Sequence, residues 1–552
     1  AAGGQAASGT MQLFLNQQRP GSDDPRDRVF VDFTAESNIN APSPGATGDS
    51  ATTRHAASAA FADVDNDGTL DLITGVYYHR IESYTDLGDR IEVLLNDGQG
   101  HFTIKEGNGL HDLGLLNTTG LSFLDYDLDG NIDLYMGLWF KDYTNNKFDH
   151  DRLFRGMGDG TFVEVTGEAG IAGLLGATYG TNVADYNDDG YPDVMSSNYC
   201  RSWNRLWRND GDGTFTEVGI ESGFGLDPNL LTLPQNFCGW ASMPRDFNND
   251  GTIDFLQVLT HGFEDWGGNR YYRTCPAVNL GREAGYTFAW RPDLITRAAP
   301  TPEHHGDHYG GWFDMDNDGL ADMFITESGY STTEPFDRLY VFRHQDDHHF
   351  LDVTEALGMM GPPWGPHPAV GADLDLDGDE DLLVGYASET PPLLKVFRNE
   401  VGTQNHWLAV KLVTPPATNR SAIGARVTVQ AGDLTLVQEV AAGDGNFANQ
   451  KPFILHFGLG QRTSVDLVTV RWPNRDHPES LVMPEGIDRI IVVDGNLTYQ
   501  YDAGVQDDAG TPDDGDGGGC GCRAGGARTA AAMLGVLGLC GAAALLQRRR
   551  RR

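Results

Sequence analysis

The chain has 552 residues, of which 79 are acidic and 39 are basic, so its formal net charge is −40 at pH 7. This charge argues against nucleic acid as a partner, because polyanion binding depends on basic patches. Six cysteines in a chain of this length exclude a disulfide-dense scaffold.

The N-terminal segment AAGGQAASGT has no apolar core, and the chain begins at Ala1 without methionine. We therefore expect that an export signal, if there was one, has been removed. The next stretches, MQLFLNQ and VFVDFTAES, predict two strands that resemble the end of a larger sheet.

An acidic nine-residue motif then recurs six times, about sixty residues apart. The copies are DVDNDGTLD from 63, DYDLDGNID from 125, DYNDDGYPD from 185, DFNNDGTID from 246, DMDNDGLAD from 314 and DLDLDGDED from 373. One copy would equally suit an acidic turn on a solvated loop, but six copies favour a metal. Carboxylates spaced two apart in a tight turn converge only around a hard cation, and all-oxygen donors on a flexible loop favour Ca²⁺ over Zn²⁺, copper or Mg²⁺.

Each motif therefore predicts a loop that binds Ca²⁺ through its first, third, fifth, seventh and ninth residues, for up to six ions in the chain. Asn187 and Asn248 replace an aspartate at the third position, so these two loops should bind more weakly. The fourth position varies, and Asp188 is therefore expected to be dispensable. The predicted ligands are Asp63, Asp65, Asp67, Thr69, Asp71, Asp125, Asp127, Asp129, Asn131, Asp133, Asp185, Asn187, Asp189, Tyr191, Asp193, Asp246, Asn248, Asp250, Thr252, Asp254, Asp314, Asp316, Asp318, Leu320, Asp322, Asp373, Asp375, Asp377, Asp379 and Asp381.

Short apolar stretches flank each motif, and alternating runs such as DRLFRGMGDGTFVEV follow, which predicts a strand, a metal turn, a second strand and a hairpin. Four strands in a unit of about sixty residues are typical of a β-propeller blade. The predicted fold is all-β: a propeller of six or seven blades over residues 1–400, followed by a small β-rich domain. Seven blades are favoured, because the N-terminal strand pair is expected to help close the final blade.

These repeats resemble the FG-GAP or VCBS repeats of integrin-α-like propellers, over roughly residues 12 to 400. The resemblance implies that calcium binds between two strands of each blade and stiffens the blade. Residues 401–500 resemble the ASPIC/UnbV domain found after such propellers in the cartilage acidic protein family. The residues that carry this second resemblance are Asn419, Arg420, Gly424, Ala425, Arg426, Phe457 to Gly460, Arg471, Trp472 and Pro473.

The C-terminal region predicts an acidic, glycine-rich linker over 501–519 and a sorting tail over 520–552. Residues 529–546 form an apolar stretch close to the length of a transmembrane helix, and five arginines follow it. With Cys520 and Cys522 in front of it, this arrangement resembles a MYXO-CTERM tail. The resemblance implies transient anchoring in the inner membrane, cleavage near the cysteines and display on the cell surface or outer envelope, whereas the alternative is a permanent tail anchor.

Outside the tail, Cys200, Cys238 and Cys275 allow one disulfide, whose pairing the sequence leaves open. The best catalytic candidates are His304, His305, Asp307 and His308, and a second cluster holds His344, His348 and His349. Their spacing matches no zinc motif and favours a polar loop.

The favoured hypothesis is a surface-displayed, calcium-stabilised propeller that binds an extracellular protein or polysaccharide, without a catalytic site. The alternative is a secreted enzyme that acts on a polysaccharide or another extracellular substrate.

Overall fold

The computed structural model describes most of the propeller region and the C-terminal domain. The described residues are 11–77, 89–143, 145–199, 202–225, 238–260, 274–297, 304–329, 338–359, 366–386, 393–415, 418–443, 445–446, 449–474, 478–481, 486–496, 498–501 and 533–534.

Six consecutive antiparallel sheets, here called blades 1 to 6, follow one another along the chain. Blade 1 contains β3 (Ser58–Ala62), β4 (Asp71–Gly75), β5 (Glu92–Asn96) and β6 (Phe102–Ile104), and blade 2 contains β7 (Thr118–Leu124), β8 (Asp133–Leu138), β9 (Arg152–Gly156) and β10 (Phe162–Glu164). Blade 3 contains β11 (Thr178–Ala184), β12 (Asp193–Asn198), β13 (Arg205–Asn209) and β14 (Phe215–Glu217), and blade 4 contains β15 (Gly239–Arg245), β16 (Asp254–Leu259), β17 (Cys275–Asn279) and β18 (Phe288–Trp290).

Blades 5 and 6 depart from four strands, and a short strand of the C-terminal domain, Gly445–Asn446, adds a fifth strand to blade 3. Blade 5 contains β20 (His304–Phe313), β21 (Asp322–Gly329), β22 (Arg338–His344) and β23 (Phe350–Asp352), with β19 (Ile295–Thr296) parallel to β23. Blade 6 has three described strands, β24 (Pro366–Ala372), β25 (Asp381–Tyr386) and β26 (Leu393–Phe397).

The first two strands of blades 1 to 3 are buried along their whole length, whereas the fourth strand of each exposes residues on one side. First strands of successive blades also contact each other. A β-propeller has strands that are buried on both faces near its central axis and half-exposed strands at its rim. The predicted fold class is therefore confirmed. Helices are short, with α1 at Thr34–Ser37 and 3₁₀ turns at Gly48–Ala51, His111–Leu113, Arg282–Ala284, Pro292–Leu294 and Gly402–Gln404.

The N-terminal strands β1 (Phe14–Gln18) and β2 (Arg28–Asp32) form an antiparallel hairpin between blade 6 and blade 1. Met11 and Leu13 pack in one cluster with Phe61 and Leu72 of blade 1, while Asn16 bonds to blade 6. This position agrees with the expectation that the N-terminus helps to close the ring, and the number of blades, six or seven, stays a prediction.

The C-terminal domain consists of two four-stranded sheets, of which the first is mixed and the second is antiparallel. The first has β31 (Ile454–Gly460), β27 (His406–Val413), β34 (Arg489–Asp494) and β35 (Tyr499–Tyr501) in this order, and the second has β29 (Leu434–Glu439), β28 (Arg426–Ala431), β32 (Leu467–Arg471) and β33 (Glu479–Leu481). Their inner faces share a single hydrophobic cluster with blades 1 and 2, which joins the domain to the propeller.

A segment of this domain, residues 440–451 and here called the insert segment, reaches the first strands of four blades. The Phe123 N–H donates to the Ala442 carbonyl at 2.9 Å, and β30 (Gly445–Asn446) pairs with β11. The Gln450 side chain exchanges two hydrogen bonds with the Phe61 backbone, at 2.7 and 2.8 Å, and the Lys451 ammonium donates to the Trp312 carbonyl. The described residues of the insert segment therefore bond to the first strands of blades 1, 2, 3 and 5.

Most of the predicted linker and tail, including Cys520, Cys522 and the arginines, lies outside the described residues. The described exceptions are Tyr501, the last residue of the strand Tyr499–Tyr501, and β36 (Met533–Leu534). Because β36 pairs with β1, these two residues of the predicted transmembrane helix lie in a strand. No helix in the described part of the chain is long and apolar enough to cross a membrane. The transmembrane helix and the MYXO-CTERM resemblance stay predictions.

Candidate metal centres

The six acidic motifs connect the first strand of each blade to the second, and we call them loops 1 to 6. All six adopt one backbone conformation, with a fourth residue at φ between 55° and 63° and a glycine in sixth place at φ between 89° and 97°. Glycine reaches this left-handed region without steric cost, so the residue is required where it stands. The sequence repeat thus corresponds to a repeated three-dimensional turn.

The first aspartate caps the turn in every loop. One of its carboxylate oxygens accepts the glycine N–H at 2.8 to 3.1 Å, as in the pair Gly68 and Asp63. In loops 1, 3, 4, 5 and 6 the other oxygen accepts the N–H of the fifth residue at 3.1 to 3.2 Å. These bonds hold the carboxylate over the centre of the turn.

The ninth aspartate ties the loop to the sheet. Its carboxylate accepts a backbone N–H at 2.7 to 2.8 Å in all six blades. The donor is the last residue of the third strand in blades 1 to 5, as Asn96 is for Asp71, and Asn399, two residues after β26, in blade 6. The position of this carboxylate is therefore fixed by the blade itself and not by the loop alone.

Oxygens of three aspartates come within 4.8 Å of one another in four loops. These groups are Asp63, Asp65 and Asp71 in loop 1, Asp125, Asp127 and Asp133 in loop 2, Asp314, Asp316 and Asp322 in loop 5, and Asp373, Asp375 and Asp377 in loop 6. Positions one and three meet in each group, and position nine joins them in three of the four. The structure therefore brings together much of the ligand set that the spacing predicts.

The remaining predicted ligands are placed differently. The fifth aspartate accepts the N–H of the seventh residue in each loop, at 2.7 to 3.1 Å, which makes a local turn. In loops 3 and 4 the third-position amides of Asn187 and Asn248 donate to the fifth aspartate at 2.7 and 2.9 Å. Within the described residues, no convergent group of three acidic side chains forms in these two loops.

Burial makes the charged state of these carboxylates costly. It raises the pKa of Asp63 to about 6, of Asp125 to about 7 and of Asp71 to about 8, and repulsion from other aspartates of the same loop adds to the increase. In loop 5, burial raises the pKa of Asp314 and Asp322 well above the usual range. A bound cation would reverse this penalty, because it favours the charged form.

Several buried carboxylate oxygens of the loops have no hydrogen-bond partner among the described residues. They belong to Asp125, Asp254, Asp316 and Asp375. Arginines of the same blade pair with the third aspartate in three loops, as Arg155 does with Asp127 at 2.9 Å, but they leave these oxygens unsatisfied. Buried oxygens of this kind are suitable ligands for a hard cation, so the residues present fit calcium.

The C-terminal domain lies over the loop end of the propeller. The Arg420 guanidinium donates to the carbonyl of Asp67 in loop 1 at 2.6 Å, and the Arg426 guanidinium donates to the carbonyl of Gly251 in loop 4. In loop 5, Asn317 bonds to His456 at 2.7 Å. Sequence reasoning assigned no role to these arginines, although they stand in the motif that carries the ASPIC/UnbV resemblance.

The opposite end of the propeller carries an aromatic cluster, located where first strands begin and second strands end. Trp139, Tyr179 and Trp240 are buried in it, with ring centroids 4.7 Å apart between Trp139 and Tyr179 and 3.8 Å between Tyr179 and Trp240. The half-buried members are Tyr77, Tyr143 and Tyr199, all of which contact Trp139.

The histidine candidates do not form a catalytic centre among the described side chains. The buried His308 ring stacks on Trp240 at 4.2 Å, while the side chains of His304 and His305 lie outside the described residues. His344 and His348 approach to 3.3 Å, and His349 pairs with Asp347. The enzyme alternative stays a prediction.

Comparison with protein families matches both regions. The FG-GAP-like repeat matches residues 185–257 and 314–384, and the family described as ASPIC and UnbV matches residues 415–495.

The chain is similar to cartilage acidic protein 1. It is 25% identical to the human protein over 331 residues, which are 56% of this chain and 43% of that protein, and 26% identical to the mouse protein over 336 residues, which are 60% and 47%. The chain thus spans less than half the length of these relatives.

Among solved structures, the exotype rhamnogalacturonan lyase YesX shares 11% identity at a TM-score of 0.36, with 82% of this chain and 76% of that one covered. The Dos1 propeller shares 11% identity at a TM-score of 0.31, with 78% and 86% covered. The chain therefore contains FG-GAP-like repeats in a β-propeller and an ASPIC and UnbV domain, and is similar to cartilage acidic protein 1.

Proposed function

We propose that this protein is a calcium-stabilised propeller that acts outside the cell as a binding module for an extracellular protein or polysaccharide. The observation that carries the proposal is the convergence of three aspartate oxygens within 4.8 Å in loops 1, 2, 5 and 6. The same turn brings three aspartates together in four separate loops, and a single acidic surface patch would not repeat in this way.

Calcium suits these loops better than other common metals. Every donor is an oxygen, which disfavours zinc and copper, and a loop of this flexibility lacks the strict octahedral geometry that magnesium requires. In loops 1, 2 and 5 the first, third and ninth aspartates would hold the ion. In loop 6 the first, third and fifth aspartates would hold it. The bound ion would offset the repulsion that raises their pKa values.

The aromatic cluster is the best candidate surface for a ligand. The C-terminal domain occupies the loop end, so a ligand would meet the other end, where Tyr77, Tyr143 and Tyr199 are half-buried. Buried indoles fill the space between these tyrosines, which favours a stacking platform for sugar rings or an apolar protein surface over a cage for a small cation.

Export is supported by the disulfide bond of Cys238 and by the acidity of the chain, both of which suit an oxidising, calcium-rich exterior. Anchoring through the C-terminal tail, followed by cleavage, is part of the proposal.

Glycan and protein arrays probed with the full chain, with calcium and with EGTA, test the function. We expect binding in calcium that is lost in EGTA and weakened by Tyr143→Ala with Tyr199→Ala. The matched control is Phe30→Ala, an exposed aromatic on β2. Turnover of a bound polysaccharide would instead support the enzyme alternative.

A further inference from the structure

Loop 3 differs from the other loops in the charges that surround it. The Arg471 guanidinium donates to the Asp185 carboxylate, and its second nitrogen lies 2.7 Å from the Asp188 carboxylate. Arg426 lies 3.4 Å from Asp188 and 3.3 Å from Glu439. Both arginines come from the C-terminal domain, at the ends of β32 and β28.

An arginine occupies the first aspartate of this loop in addition to the backbone bonds. One oxygen of Asp185 accepts the Asp189 N–H at 3.1 Å, and the other accepts the Gly190 N–H at 2.9 Å as well as Arg471. The Asn187 side chain donates to the Asp189 carboxylate at 2.7 Å, and its oxygen accepts the Asp189 backbone N–H at 3.3 Å. The first aspartates of loops 1, 5 and 6 accept the same two backbone N–H groups, but no arginine pairs with them among the described ion pairs. In loop 2, one oxygen of Asp125 is buried without a partner among the described residues.

Two arginines offset two of the three carboxylates at this contact. Asp185, Asp188 and Glu439 face Arg426 and Arg471, and the Glu439 carboxylate accepts the Asp185 backbone N–H at 3.1 Å. Apart from Asp188, whose side chain is about half exposed, these side chains are largely buried, so the loss of one partner leaves an uncompensated charge.

Other loops meet the C-terminal domain through neutral groups. Arg420 and Arg426 contact backbone carbonyls in loops 1 and 4, and Gly378 of loop 6 lies against the Trp407 indole. Within the described ion pairs, loop 3 is where carboxylates of the propeller meet arginines of the C-terminal domain.

We propose that loop 3 is a docking site of the C-terminal domain on the propeller, where Arg471 and Arg426 offset two of three carboxylates, and that it holds no calcium. The contrast with loops 1, 2, 5 and 6 rests on the proposed function, whereas the docking role rests on the ion pairs alone. In this proposal Arg426 and Arg471 of the ASPIC and UnbV region hold the C-terminal domain against the propeller.

Calcium stoichiometry of the purified full chain, measured by elemental analysis, tests the absence of an ion. Asp125→Asn in loop 2 should remove one calcium per chain, and the matched Asp185→Asn in loop 3 should remove none. Loss of one calcium in both variants would overturn the inference. If Asp125→Asn removes none, the proposed function fails, and the docking measurement decides the inference by itself.

Docking is measured by hydrogen exchange of residues 118–124, because the Phe123 N–H is bonded to the insert segment. Asp188→Ala and Arg471→Met should each speed this exchange several-fold. Arg462→Met is the control, since Arg462 pairs with Asp433 inside the C-terminal domain. Asp188 is half exposed and outside the ligand positions, so its replacement should leave the blade folded. Unchanged exchange in both variants would refute docking at loop 3.

Discussion

The Asn16 side chain donates a 2.6 Å hydrogen bond to the carbonyl of Leu374, which lies 358 positions later in loop 6. Asn209, Asn279 and Asn399 make the same bond to the second residue of the preceding blade's loop, at 2.6 to 2.9 Å. Asn16 therefore makes the bond that third-strand asparagines make in blades 3 and 4, and the N-terminal hairpin links the last sheet to the first.

Replacing Asn16 with alanine should weaken this closure. Asn16 is buried, and the change leaves the Leu374 carbonyl without its donor, so we expect a loss of about 1–3 kcal/mol in the free energy of unfolding. Urea denaturation measures the loss, and Gln12→Ala, at an exposed position nearby, serves as the control. Equal stability of the two variants would show that the bond contributes nothing to closure.

Removing calcium should lower the melting temperature strongly. An ion that binds only the folded state stabilises it by about 2.7 kcal/mol at a concentration of 100 times its Kd, and several sites add. Differential scanning calorimetry with and without EGTA measures the shift, and Asp65→Ala should reproduce part of it. Protein shown to contain calcium that melts at one temperature in both buffers would contradict the metal assignment.

The calcium-free protein should lose stability as the pH rises from about 5 to about 8. The pKa values of Asp63, Asp125 and Asp71 in the fold, about 6, 7 and 8, exceed the unfolded value of about 3.9. The folded state therefore binds more protons than the unfolded state over this range, and deprotonation favours unfolding.

Denaturation of chelator-treated protein across this pH range measures the slope, and Asp71→Asn should flatten it. Asp24→Asn, on an exposed turn, should leave it unchanged. With calcium present the trend should reverse, because protons compete with the ion at low pH. A flat profile in the calcium-free protein would show that the loop carboxylates keep ordinary pKa values.

Trp139→Ala should destabilise the propeller by about 3–5 kcal/mol, because it empties the centre of the aromatic cluster. The exposed Trp203 provides the comparison, and its replacement with alanine should cost far less. Thermal unfolding of both variants in calcium distinguishes them. Similar losses would mean that the cluster tolerates a cavity.

The surface-displayed form should lack the residues beyond about Cys522, according to the tail hypothesis. Mass spectrometry of that form checks the expectation, and a Cys520→Ala, Cys522→Ala double variant should accumulate uncut in the membrane fraction. Detection of Arg552 in the mature surface protein would instead support a permanent anchor.

The loops were predictable because their chemistry is local. Glycine at the sixth position and aspartate at the first form the turn without help from distant residues. The nine-residue motif is therefore enough to identify the turn. The partner of Asp185 was not predictable, since Arg471 lies 286 positions away in another domain and no local pattern links them. For the same reason the sequence gives Asp188 no function, whereas the structure pairs it with two arginines.

The insert segment has a consequence for the order of folding. This segment forms hydrogen bonds with the first strands of blades 1, 2, 3 and 5, although it is synthesised after all six blades. Because synthesis starts at the N-terminus, these early strands lack their hydrogen bonds to the insert segment until residue 451 has been added. Such long-range contacts slow folding and prolong the exposure of unpaired strands, so assembly of the complete ring should be a late event after synthesis or export.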